Sequence, residues 1–212
     1  MQVLFRTCVY MRTLIALVVL LVGISVCGGN RLTLDFKEHT DNIEFEGMLA
    51  LADASQVIVT IKSDSISAKY FQVFMVTSHN GEATTQSIGF VPVLGDSTRI
   101  CFTAMPKDSA TAIFSIAPKV CGRQIVSTPT SRRMLIGCDF KRAYAETDTI
   151  PLVGYSTGIP KHFDLGNGEI IDGWDICGVR YSGVDPAMWD RRFGFSDYVY
   201  FEAVAVKDIS YL

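Results

Sequence analysis

Five residues give the chain its one apparent catalytic motif. Gly154-Tyr155-Ser156-Thr157-Gly158 matches G-x-S-x-G, in which a strand delivers a serine nucleophile to a sharp turn and a helix follows. Pro160 stands four residues after Ser156 and disfavours that helix, because proline removes a backbone donor and restricts its predecessor. The only later histidine is His162, too near in sequence for the elements that separate a serine from its base in that fold. A glycine-flanked turn accounts for the motif, and a secreted hydrolase using Ser156 or a carboxylate pair is the alternative to a binding role. Carboxylates are plentiful, but only their separation in space identifies such a pair.

The histidines His39, His79 and His162 show no H-E-x-x-H or other close ligand spacing, so no metal and no cofactor is expected. The stretch DLGNGEIIDGWD places Asp164, Asn167, Glu169, Asp172 and Asp175 among glycines. Oxygen-rich loops can wrap calcium. The EF-hand order is not met, and turn formation explains the composition.

A second group suits recognition. Trp174, Tyr181, Trp189, Phe193, Phe195 and Tyr198 are interleaved with Asp172, Asp175, Arg180, Asp185 and Arg192. Flat rings beside charged groups bind sugars and proteins, although rings in a small domain also serve as core. Trp174, Tyr181, Trp189 and Arg192 are the candidate ligand-binding residues. Trp189-Asp190-Arg191-Arg192 is the expected exposed recognition loop, since three charged residues follow the indole.

The N-terminus bears on compartment. Arg6 and Arg12 precede an uncharged apolar run at residues 13–26, and Ser25-Val26-Cys27 offers a cleavage site before Gly28. Residues 1–27 read as a signal peptide, with Met11 an alternative start. Alternatively, residues 13–26 stay as a membrane anchor for a surface ectodomain, or Cys27 is lipidated. The protein is expected to be secreted, extracellular or periplasmic, with no membrane contact after cleavage. Removing residues 1–27 takes away two arginines and no acid, moving the formal charge from −3 to −5. That gives no general attraction to nucleic acid.

Cleavage also leaves Cys101, Cys121, Cys138 and Cys177, which in an exported chain read as two disulfides. If Ala104 pairs with Thr111 across a turn at residues 105–110, Cys101 lies opposite Phe114. Cys121 would then be ~23 Å further along an extended chain. Cys138 or Cys177 becomes the better partner for Cys101.

The elements that must hold these residues are strands. Alternation marks residues 31–36, 43–51 and 56–61, with a turn at 53–55 between the last two. Residues 69–77 are apolar on both faces, as in a central strand covered on both sides. Asn80-Gly81 then signals a hairpin with positive φ, returning through residues 83–91. Residues 99–121 read as strand, turn, strand. The expectation is an all-β, disulfide-stabilised β-sandwich at residues 28–121 and an exposed connection at residues 122–133. A loop-rich, aromatic-rich C-terminal part at residues 134–212 packs on the same domain. Function is expected to be non-enzymatic: a binding or structural module for an extracellular protein or carbohydrate.

Overall fold

The computed structural model describes residues 31–63, 65–107, 110–118, 120–127, 133–138 and 143–209. The signal-peptide and anchor assignments fall outside them. Among the described residues no helix is long and apolar enough to cross a membrane.

Two antiparallel sheets dominate. The first has β1 (Arg31–Lys37), β2 (Ser55–Ser63), β5 (Ser97–Lys107), β6 (Ala110–Ala117), β7 (Val120–Ser127) and β9 (Tyr144–Ala145), in the order β7-β6-β5-β2-β1-β9. The second contains β3 (Tyr70–His79), β4 (Glu82–Pro92), β8 (Met134–Gly137), β10 (Ile150–Ser156) and β13 (Asp197–Val206). Its order is β4-β3-β13-β10-β8. Strands β11 (Ile159–Asp164) and β12 (Ile170–Asp175) form a separate hairpin.

The period of two in the sequence decides what is buried. Val57, Val59 and Ile61 of β2 and Ile100, Phe102 and Ala104 of β5 point inward. They meet Phe71 and Val73 of β3 and Val199, Phe201 and Ala203 of β13 in one cluster. The Phe102 and Phe201 rings join the sheets at 4.9 Å between centroids. Nearby, the Thr111 and Tyr155 hydroxyls hydrogen-bond at 2.8 Å, so neither buried oxygen is orphaned. Strand β3 is apolar on both faces because it is covered twice. Its Val76 joins Ile136, Trp189, Tyr198 and Tyr200 in a second cluster on the sheet's far side.

Asn80 and Gly81 take φ of 50° and 84°, as the β3–β4 hairpin demands. The β5–β6 hairpin departs from the sequence reading. Lys107 pairs with Ala110, so the strands run through the expected turn and only residues 108–109, outside the described set, connect them.

Residues 43–51 are a helix, α1 (Ile43–Leu51), where alternation predicted a strand. The Asn42 side chain accepts from the Glu44 and Phe45 amides at 3.0 Å each, satisfying two donors that a helix start leaves open. Glu44 and Glu46 in the first turn suit the positive end of the helix dipole. Four residues of apolar–acidic alternation were a weaker instruction than this cap.

Residues 122–127, assigned to an exposed connection, belong to β7, which pairs with β6 throughout. The C-terminal strands are built into the second sheet: β13 lies between β3 and β10.

The expected disulfides are absent: Cys101, Cys121, Cys138 and Cys177 are free thiols. The chain does fold back after Pro118, and Cys101 and Cys121 each pair with Ile116, from opposite sides. They are thus two strand spacings apart, roughly 9.6 Å, whereas a disulfide needs Cα atoms about 4.4–6.8 Å apart. Cys138 is buried in the second cluster, beyond the core from Cys101, so those two cannot bond either. Cys177 is exposed.

Candidate functional site

The second cluster is roofed by three short helical segments: α2 (Ile176–Arg180), a 3-10 turn at Pro186–Met188, and α3 (Trp189–Phe193). Asp175 caps α2, accepting from the Gly178 amide at 2.7 Å, and Asp185 accepts from Ala187 at 3.0 Å. Trp189 lies beneath this roof with 1% of its surface exposed. Its Nε1–H donates to the Val184 carbonyl at 3.1 Å, and its ring packs edge-on to Phe195. The expected exposed recognition loop is therefore corrected at its central residue. The indole is core, Asp190 is half-buried with its Oδ1 enclosed, and only Arg191 and Arg192 face outward.

The ring rests on Gly154. A Cβ at Gly154 would stand 2.3 Å from the Trp189 ring, so this glycine serves close packing. Ser156 ends β10, paired with Met134 and fully buried, and β11 follows after two residues. No helix follows, and the hydroxyl faces no solvent. The geometry of a nucleophile elbow is not present at Ser156.

An open cleft of about 250 Å³ lies beside the roof. Arg133, Thr157, Trp174, Phe193, Ser196 and Asp197 line it. They converge from four places in the chain. Gly158, at φ 83°, turns β10 into β11, whose partner β12 presents Trp174. Gly194, at φ 72°, ends α3 and turns the chain into β13, which opens with Asp197. Arg133 stands just before β8.

Trp174 is 43% exposed, a large ring left open at the cleft wall. Asp197 accepts from the Ser196 hydroxyl at 2.6 Å and from His79 Nδ1, while His79 Nε2 accepts from Asn80 at 3.0 Å. The Ser196 hydrogen bond is the main cause holding the Asp197 carboxyl below its ordinary value. Burial opposes it, and His79 and Arg133 add to it. Burial lowers the Arg133 guanidinium, offset by the Asp197 charge. Arg133 Nε is buried without a hydrogen-bond partner among the described residues.

Ser196, Asp197 and His79 are not a nucleophilic triad. The serine donates to the carboxylate, whereas a triad needs its serine on the imidazole. The arrangement suits binding: an exposed ring, a guanidinium at the cleft wall, and a carboxylate fixed by its neighbours.

Of the candidate residues, only Trp174 lines this cleft. Tyr181 is exposed just past α2, with the Arg180 guanidinium 5.0 Å over its ring, and Arg180 is ion-paired to Glu38 at 2.5 Å. Arg192 is exposed on α3. Sequence reasoning missed Arg133, His79 and the adjacent Ser196-Asp197, three places that no local spacing connects. The carboxylates of residues 164–175 serve local structure. Asp164 and Asn167 accept from the Gly166 and Glu169 amides, Asp172 contacts His162, and Asp175 pairs with Lys161. Among the described residues no three His, Cys, Asp or Glu side chains are grouped to hold a metal.

No protein-family model, curated protein or solved structure matches the chain.

Proposed function

We propose that the chain is an exported, face-to-face β-sandwich acting as a non-enzymatic binding module for an extracellular protein or carbohydrate. The cleft beside Trp174 is its site. The observation that carries this reading is the half-open Trp174 ring lining one cleft with Arg133 and Asp197. An indole exposed at a cleft wall offers a flat apolar face, while the guanidinium and carboxylate fix a ligand's orientation through hydrogen bonds. At about 250 Å³ the cleft falls just below the roughly 300–1,000 Å³ typical of small-molecule pockets. That size fits one sugar ring or one protruding side chain.

Glycan and surface-protein screens with the wild-type chain, followed by titration of Trp174→Ala and Arg133→Ala, test the proposal. Each variant should weaken binding about tenfold or more, the scale of a 1.4 kcal/mol loss. The reading fails if neither screen yields a partner, or if Trp174→Ala binds as wild type. Trp189→Ala is not a test, because it removes core. Export rests on residues 1–27, and the N-terminal mass of the secreted chain checks it: Gly28 is expected, and an intact Met1 or Met11 overturns it.

A further inference from the structure

Helix α1 is the most exposed apolar element described. It buries no residue, and Ile43 and Leu51 are 85% and 91% exposed, with Met48 also open. Helices apolar on every side are normally buried, and contiguous exposed apolar patches mark interaction sites.

A second uncovered apolar area lies at the same end of the molecule. Register sets Ile58, Cys101, Ile116 and Cys121 side by side across β2, β5, β6 and β7. Phe114 and Ile125 continue the patch. Alternation turns this surface away from the core, leaving Ile116 and Ile125 51% and 58% exposed. Helix α1 follows β1, whose last residue Lys37 pairs with Ile58 of that row.

The two areas are opposite in charge. Asp41, Glu44, Glu46 and Asp53 lie on α1 or beside it; Lys37 is paired to Asp41, and Glu46 accepts from the Thr40 amide and lies 3.7 Å from His39. The sheet area carries Arg123, whose guanidinium lies 5.8 Å over the Phe114 ring, and no acid among the residues named. Dimensions agree as well. Nine residues of helix are ~13 Å long, close to the roughly 14 Å occupied by three adjacent strands.

We infer that these areas form a self-association surface on which α1 of one copy seats across β5–β7 of a second copy. Under two-fold symmetry each copy gives a helix and receives one, so the contact forms twice. Glu44, on the same side of α1 as Ile43, Met48 and Leu51, then faces the partner's Arg123, and those three apolar residues cover the partner's Ile116 and Ile125.

Sedimentation velocity on the full chain, up to ~100 µM, tests this, since association of ~10 µM or tighter is well populated there. Wild type is expected to run as a dimer. Arg123→Glu alone, and Glu44→Lys alone, should each shift it to monomer, and the two together should restore the dimer. Circular dichroism keeps misfolding apart from loss of contact. Restoration by charge exchange also separates this contact from association through the apolar residues 13–26. A wild-type monomer at every concentration overturns the inference, as does an oligomer insensitive to both charge reversals. Monomers that co-sediment through α1 with phosphatidylcholine vesicles overturn it in favour of a lipid surface.

Discussion

At the residue scale, chemistry suggested by side-chain type gives way to packing. Gly154 belongs to a hydrolase motif on paper and to the seat of Trp189 in space. Gly154→Ala should cost ~1–3 kcal/mol, the range of an overpacked core, read as a lowered denaturation midpoint; an unchanged midpoint refutes the packing role. The thiols differ as sharply. Burial raises the Cys138 thiol well above its ordinary value, while Cys121 and Cys177 are exposed. Maleimide should label Cys177 in the native protein, reach Cys121 in the dilute monomer and reach Cys138 only after unfolding, with mass spectrometry of peptides as the readout. Asp197 supplies a pH signature. Its folded value is depressed, so its stabilisation is present above the unfolded value of about 4 and lost as pH falls through the folded one. Glu202, raised by burial, contributes in the opposite direction. Denaturation between pH ~5 and ~2 should therefore show wild type losing more stability than Asp197→Asn. Equal slopes would remove Asp197 from the acid response. None of the cleft's polar group was legible beforehand, because His79, Arg133, Ser196 and Asp197 meet only after strands far apart in sequence pair.

At the element scale, legibility follows how local the instruction is. Strands β2 and β3 and the Asn80-Gly81 hairpin could be read directly, since two-residue alternation and a positive-φ turn are encoded within a few residues. Helix α1 could not be read from its alternation, yet the signal was present in Asn42, whose side chain closes the first turn. Asn42→Ala should cost the helix about 1 kcal/mol. Because α1 buries nothing within its own chain, global unfolding of the dilute monomer should barely change. Amide exchange within residues 43–51 should rise while the β2 and β5 amides stay protected; a matching drop in global stability would contradict this. The cysteines failed as signals for a related reason. Disulfide reading assumes that exported cysteines find one another, but register places a whole strand between Cys101 and Cys121.

At the scale of the whole molecule, the two halves read from the sequence are interleaved. The aromatic-rich C-terminal part was legible as composition, but composition does not say that β13 enters the middle of a sheet begun by β3. Replacing Phe102 or Phe201 with alanine should cost about 3–5 kcal/mol. The paired variant should cost less than the two single losses combined, because each ring is the other's neighbour; strict additivity in a double-mutant cycle would deny that they join the sheets. The place of β13 also governs the order of events as the chain acquires its shape. His79 and Asp197, joined at one end of the β3–β13 pair, are 118 residues apart. Strand β3 can close on β4 early, but its other edge has no mate until β13 arrives, and loop closure over such a distance is slow. During that interval the molecule carries an open, apolar strand edge, the kind that captures foreign chains. The interval before β13 docks is therefore when this protein is most exposed to aggregation and most in need of a chaperone.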